Sequence, residues 1–270
     1  MSATRRRIHK WGDRNRVQFE PAKEIVVCIH PALGSDTVFK LLGILFDCKL
    51  LMEDDVVDIL ARCRPKINTI LRTRNFYSTQ ELLNQFKIHI WGLLEYHTPA
   101  IFHCTSSRLD KIDRLQTSFL GKLDISPREA FLNYNMAPLK LRRDIGLLGL
   151  WYKVAHGIAH PSLCALFPTA HFLIGTFING RPRHDKQLDN HASAVLFREH
   201  LWRRSLFGWV FSFNKLPQFC IDAPSVSDFQ TILTGHVRTK CLANTRDWDK
   251  TFDAEIKCAE EGRYSSHIHG

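Results

Sequence analysis

The chain has 270 residues, of which 44% are hydrophobic and 11% aromatic, and 37 Lys and Arg against 27 Asp and Glu give a net charge of +10. This length and apolar content allow a sizeable buried core, which excludes a wholly disordered protein. The basic balance favours polyanionic partners such as nucleic acids. No apolar run approaches the roughly 18 residues of a membrane-spanning helix, and the charged N-terminal segment lacks the apolar stretch of a secretion signal. The sequence therefore predicts an intracellular protein, nuclear or cytoplasmic, with no membrane partner.

Two segments near the N-terminus are predicted to form strands. Residues 24–30 ("EIVVCIH") are apolar and β-branched, residues 31–36 contain the Pro and Gly of a turn, and residues 37–47 ("TVFKLLGILFD") are again apolar. The pattern predicts that 24–30 and 37–47 pair as antiparallel strands. Gly43 is expected at a tight backbone bend, because glycine tolerates conformations that other residues avoid.

From residue 53 onward, apolar residues recur with the period of a helix. The first stripe begins with Val56, Ile59 and Cys63. Pro65 is expected to kink or divide this helix, because proline has no amide donor. Local signals predict further helix starts at Ser78 with Glu81, at Thr98–Pro99 and at Ser126–Pro127 with Glu129, and a later helix over roughly 138–156 that stops at Gly157.

The remainder of the chain divides by composition. Residues 168–192 gather Gly, Pro and Asn and lose periodicity, which predicts a linker. Residues 193–213 and 225–242 are predicted to be helical, the second helix being capped by Ser227 with Gln230. The predicted organisation is 1–47, 48–167 and 193–243 as structured parts, 168–192 as a linker and 244–270 as a loose polar tail.

The acidic run Glu53, Asp54 and Asp55 has two interpretations, a two-metal polymerase site or the first turn of a helix. A two-metal site needs a further carboxylate from a separate strand, and no acid upstream lies at the centre of an apolar strand. Acids in a first helical turn are favoured by the helix dipole. We therefore predict a helix start and no metal. The eight scattered cysteines and fourteen histidines show no zinc-site spacing either, and the cysteines are expected to be buried, reduced thiols.

Several short motifs follow one another along the chain. "HKWGDRNRVQFEPAKE" (9–24) carries Gly12, Asn15, Phe19 and Lys23, and "FKLLGILFD" (39–47) carries a Leu-Gly-apolar turn at 42–44. "LDKIDRLQTSFLGKLDIS" (109–126) and "RRSLFGWVFSFNKLP" (203–217) come later. This order resembles the C-terminal portion of non-LTR retrotransposon reverse transcriptases, from the end of the palm through the thumb and the segment after it.

The resemblance implies a mainly α fold, with a short N-terminal antiparallel β hairpin as a palm remnant, then a thumb-like helical bundle and a second small helical unit. The family's fingers and the palm aspartates that bind metal would lie before residue 1. A fragment without them is expected to have no catalytic residue and no cofactor, with Mg²⁺ bound only if a separate palm is supplied. Lys23, Leu42 and Gly43 match family-motif positions. The family's lysine lies near the departing phosphates, but without a palm an exposed lysine at a strand edge is the favoured interpretation of Lys23.

An acid-free basic run follows the first predicted helix turn. The resemblance implies that this part of the thumb lies along a template–primer, so RNA or an RNA–DNA hybrid is the expected partner, contacted at phosphates and independently of sequence. Phe76, Tyr77 and Trp91 could stack on bases, but core packing is the favoured interpretation. The predicted contacts are Arg62, Arg64, Lys66, Arg72 and Arg74.

Three alternatives to a binding fragment remain open at this point. The chain could complete an RNA-directed DNA polymerase in trans, by docking on a separate fingers–palm chain. It could be a helical interaction scaffold whose basic face only keeps it solvated. It could also be a relic of a decayed element with no selected function.

Overall fold

The structure, a computed structural model, describes residues 3–20, 24–30, 37–170, 177–178, 181–182, 184–189 and 205–252. These residues are mainly helical, with a small two-stranded antiparallel sheet near the N-terminus, which confirms the predicted fold class. The chain divides into two compact units, Met1–Leu51 and Met52–Gly270.

The first unit contains a hairpin whose position differs from the prediction. Strand β1 (Val38–Leu41) pairs with β2 (Ile44–Asp47), so both strands come from the segment predicted to be one. Leu42 and Gly43 form the turn with φ values of 51° and 87°, the left-handed backbone that a two-residue hairpin turn requires. The predicted strand at 24–30 is wrong, since those residues form no regular structure. Pairing across a two-residue turn closes the shortest possible loop and therefore loses the least chain entropy.

The basic N-terminal residues form a helix, α1 (Ala3–Arg14), that the sequence analysis did not predict. Gly12 is buried on it because the chain turns back and packs Phe19 against its backbone. A Cβ atom at Gly12 would lie 2.3 Å from Phe19 Cε2 and 2.8 Å from the Val17 carbonyl oxygen. The glycine and the phenylalanine of the first motif are thus partners in one contact.

The second unit is a succession of helices joined by short connections. Its first helix, α2 (Glu53–Arg72), includes Pro65 without interruption, so the expectation that proline divides it is wrong, and the alternative of a kink stays a prediction. Pro65 has no amide hydrogen to donate to the carbonyl of Ala61, and both residues lie on the exposed side of α2. The helices are α2 (Glu53–Arg72), α3 (Thr79–Phe86), a π-helical turn (Lys87–Trp91), α4 (Gly92–Ile101), α5 (Ser106–Gly121), α6 (Pro127–Tyr134), α7 (Leu139–Ala155), α8 (Pro161–Leu166), α9 (Trp209–Asn214), α10 (Gln218–Ile221) and α11 (Val226–Leu242), with 3₁₀ turns at Leu206–Gly208 and Trp248–Lys250 and short paired strands β3 (Phe177–Ile178) and β4 (Arg181–Pro182).

Two of the predicted helix starts are confirmed by their hydrogen bonds. The Ser78 hydroxyl accepts from the Glu81 amide, and the Glu81 carboxylate accepts from the Ser78 amide, which completes a capping box before α3. The Ser126 hydroxyl accepts from the Glu129 amide at 3.1 Å. Helix α7 ends before Gly157, which has a φ of 68° as expected of a helix terminator.

Two other predicted starts are wrong. Helix α4 continues through Thr98 and Pro99, and the Thr98 hydroxyl donates to the Leu94 carbonyl inside the helix instead of capping a new one. Helix α11 is capped by Ser225, whose hydroxyl accepts from the Asp228 amide, and not by Ser227. Of the helix predicted at 193–213, residues 193–204 lie outside the described residues, and α9 occupies part of the rest.

The main core of the second unit surrounds α7. Trp151 and Leu148 of this helix are fully buried together with Phe213 of α9 and Phe229 of α11. The Tyr152 hydroxyl donates to the Ala223 carbonyl at 2.5 Å. Helices on both sides of the predicted 168–192 linker therefore contribute to one core. The boundaries at 167, 192 and 243 stay predictions, because much of 168–192 and of 244–270 lies outside the described residues.

Candidate nucleic-acid interface

The acidic run at the start of α2 lies in the first helical turn, as predicted. The Arg108 guanidinium of α5 donates to Glu53 at 2.8 Å, and Lys111 lies 3.7 Å from the same carboxylate. The hydrogen bond from Arg108 lowers the pKa of Glu53 below its usual value. Glu53 therefore links the N-terminus of α2 to α5, and its negative charge also interacts favourably with the dipole of α2.

Asp55 has a role that the sequence analysis missed. Its carboxylate is fully buried and lies 2.8 Å from Nδ1 of His97 on α4, which is also buried. Arg62 Nη1 lies 3.5 Å from Nε2 of the same ring. A guanidinium can only donate, so Nε2 accepts and Nδ1–H donates to Asp55. A signal was available, because Asp55 lies one turn before buried Ile59, and His97 one turn before buried Ile101.

The structure separates Arg62 from the other predicted contact residues. Arg62 lies 3.3 Å from the Asp58 carboxylate of its own helix and also contacts His97, so its charge is already engaged. The remaining four side chains are exposed, and none of them forms a hydrogen bond or ion pair with another residue in the described part of the chain. They are Arg64, Lys66, Arg72 and Arg74.

These four cations do not form a single stripe. At 3.6 residues per turn, Arg64 and Arg72 lie about 80° apart on the exposed side of α2, whereas Lys66 lies about 120° from Arg72. Arg74 follows the end of the helix. We call Arg64, Arg72 and Arg74 the α2 basic face, and Lys66 lies on its flank.

Two aromatic residues follow the α2 basic face directly in the chain. Phe76 is 83% exposed and Tyr77 is 46% exposed, so their expected place in the core is wrong. They lie in the connection between Arg72, where α2 ends, and Ser78, which caps α3, and residues 74–78 of this connection are all exposed. Trp91 is buried as expected, with the Arg142 guanidinium 3.8 Å from the centre of its ring.

The family-motif positions are only partly described. Leu42 and Gly43 form the hairpin turn, as the motif implies. Lys23 lies outside the described residues, so its role stays a prediction. Among the residues that the structure describes, no group of three or more His, Cys, Asp or Glu could hold a metal ion, and no helix is long and apolar enough to cross a membrane.

No family model, no curated protein and no solved structure matches the chain. The resemblance to a reverse transcriptase therefore stays a prediction, as do the alternatives of a polymerase subunit acting in trans, a scaffold or a relic. The expected lack of a catalytic residue and of a cofactor stays a prediction in the same way.

Proposed function

We propose that the chain binds RNA or an RNA–DNA hybrid, independently of sequence, through the α2 basic face. The observation that carries the proposal is that three exposed guanidinium groups have no acidic partner among the described residues, and that an exposed phenyl ring follows them two residues after Arg74. An unpaired guanidinium can approach a phosphate without first breaking an ion pair. An exposed phenyl ring can stack on a base without first leaving a packed position in the core.

The chemistry of these groups favours contacts to the backbone of a nucleic acid. A guanidinium binds two phosphate oxygens at once through parallel N–H donors. Each neutralised phosphate releases counterions, which drives association at low salt. Stacking on Phe76 and Tyr77 accepts any base, since every base has a π face. Such an interface discriminates poorly between sequences, as phosphate contacts carry no sequence information.

A titration with a labelled RNA–DNA hybrid tests the proposal by fluorescence anisotropy at several salt concentrations. The test variant is Arg64→Gln/Arg72→Gln/Arg74→Gln, and Arg62 is left unchanged because it contacts Asp58 and His97. The matched control is Arg114→Gln/Lys122→Gln/Lys153→Gln, which removes the same charge from other exposed positions. We expect the test variant to bind far more weakly. The slope of log affinity against log salt should flatten by roughly 0.7 to 0.9 for each phosphate that the variant no longer neutralises.

The control variant distinguishes a site from a general positive charge. It should keep most of the wild-type affinity and salt slope if the α2 basic face makes the contacts. Equal weakening in both variants would show that net charge alone attracts the hybrid, and the scaffold interpretation would then be preferred. Replacement of Phe76 by Ala should weaken binding about fivefold or more if its ring stacks on a base.

A further inference from the structure

Helix α1 in the first unit presents one side to solvent, because its other side is held by the chain that follows it. Glu24 lies 2.5 Å from the Arg5 guanidinium and 2.7 Å from Nε2 of His9. Phe19 packs against Gly12 and lies 5.4 Å from the His9 ring, centre to centre. These contacts fix which side of α1 stays open.

The open side contains a shallow recess. Its volume is about 290 Å³, and it is lined by Thr4, Arg7, Ile8 and Trp11. The spacing of these residues, at i, i+3, i+4 and i+7, places them on the same side of one helix. Ile8 is 49% exposed and Trp11 is 57% exposed, so a large indole ring is offered to a ligand. We call this feature the α1 recess.

The α1 recess lies in a strongly basic setting. Arg6, Arg7, Lys10 and Arg14 are exposed on the same helix, and none of them forms an ion pair with a residue that the structure describes. Asp13 is the only acid of α1. A ligand that fits here must combine a flat apolar part for the indole ring with a negative charge for Arg7.

We propose that the α1 recess binds one nucleotide of a single-stranded RNA, with the base stacked on Trp11 and a neighbouring phosphate held by Arg7. The recess is shallow and open to solvent, which suits a single base that stacks on the indole ring and keeps its edges in solvent. Stacking on aromatic side chains beside a basic track is the usual way in which single strands are held without sequence preference.

The same composition argues against an anionic membrane surface as the occupant. Membrane-surface helices bury a broad apolar face in the lipid boundary. The open side of α1 offers Ile8 and Trp11 as its large apolar side chains, within a helix of 12 residues. A single aromatic ring flanked by cations matches a base and its phosphate better than it matches lipid.

This site is independent of the α2 basic face. It uses different residues, it belongs to the other compact unit, and it rests on a recess with an exposed indole ring instead of on the exposed cations of α2. Either site can therefore fail without the other.

The test compares a short single-stranded RNA with an abasic RNA of the same length, each titrated against the full chain. The variants are Trp11→Ala and Arg7→Gln, with Arg6→Gln as the matched control, because it removes the same charge from the same helix outside the α1 recess. All are measured in the wild-type chain and in the Arg64→Gln/Arg72→Gln/Arg74→Gln background. We expect Trp11→Ala to weaken binding of the intact RNA about fivefold or more and to leave the abasic RNA unaffected.

The remaining outcomes are equally distinct. Arg7→Gln should weaken binding of both RNAs more than Arg6→Gln does, and this difference should persist in the α2 variant background. Equal effects of the two arginine variants, or an unchanged preference for intact RNA in Trp11→Ala, would overturn the site. Vesicles of phosphatidylserine and phosphatidylcholine serve as the other probe. If they bind the chain through Trp11 while RNA does not, the occupant is a lipid surface and the proposal is wrong.

Discussion

The buried pair between Asp55 and His97 gives the sharpest test of how α2 is held in the second unit. The perturbation is His97→Ala, which removes the imidazole from α4. Asp55 would then keep a carboxylate that has no exposed surface and no longer has its donor at 2.8 Å. Arg62 would be deprived of its acceptor, Nε2, at the same time.

The expected magnitude follows from that burial. His97→Ala removes one hydrogen bond from a fully buried carboxylate and should cost about 1.5–3 kcal/mol of unfolding free energy, because hydrogen bonds to charged groups are stronger than those between neutral groups. Asp55→Ala should cost a similar amount, about 1–3 kcal/mol, because it leaves the buried imidazole without its acceptor. The double variant should cost less than the sum of the single variants by about 0.5–3 kcal/mol, since the second change then removes a group whose partner is already absent.

Urea unfolding followed by circular dichroism measures these values for the wild type, both single variants and the double variant. The matched control is His89→Ala, which removes the same side chain from an exposed position in the π-helical turn. It should change the unfolding free energy by less than about 0.5 kcal/mol.

Two results would refute the reasoning about this pair. One is a cost for His97→Ala no larger than that of His89→Ala, which would mean that the buried carboxylate needs no imidazole. The other is simple additivity of the Asp55→Ala and His97→Ala costs, which would mean that the two side chains do not interact across α2 and α4.

Three further predictions concern single side chains. Burial lowers the pKa of His184, so the contribution of this side chain to stability is complete above about pH 6.5 and is lost as the pH falls. The urea midpoint of His184→Gln should therefore fall less than that of the wild type between about pH 7 and about pH 5, and an equal fall would contradict this. Burial raises the pKa of the Cys63 thiol to about 11, so iodoacetamide should label exposed Cys28 before Cys63 in the native chain, as measured by mass spectrometry of the peptides. Equal labelling rates at Cys28 and Cys63 would contradict the burial of Cys63. Arg128 donates to two carbonyls at the end of α11, so Arg128→Ala should lower the unfolding free energy by about 1–2 kcal/mol in the same urea assay, and a cost as small as that of Arg114→Ala would refute this.

The contact between Gly12 and Phe19 shows how a motif position can have a packing explanation. In the resemblance, these residues are matched positions in a short segment. In the structure, glycine is required because the Phe19 ring and the Val17 carbonyl occupy the space of its side chain. This contact holds the following segment against α1 and helps to determine which side of the helix is open to solvent.

The proposed sites differ in how far the sequence alone could locate them. The charges of Arg64, Arg72 and Arg74 were predicted as contacts from composition and from the resemblance. Two further findings needed the positions of neighbouring side chains: these three arginines form no ion pair among the described residues, whereas Arg62 contacts Asp58 and His97. The α1 recess was not predicted, because the N-terminal basic run gave no apolar period long enough to indicate a helix.

Features that depend on residues a few positions apart could be predicted from the sequence alone. Ser78 with Glu81, Ser126 with Glu129, and the Leu42–Gly43 turn are local, since each cap or turn is completed by atoms within one turn of the chain. The mainly helical class followed from periodicity in the same way.

Which side chains are buried, and which residues they contact, depends on the packing of distant segments against one another. Asp55 and His97 are 42 positions apart, and their contact exists because α2 packs against α4. Phe76 is exposed in the connection that follows the end of α2 at Arg72. Burial depends on which surfaces meet in space, and a local pattern indicates that a helix has an apolar face without indicating what covers it.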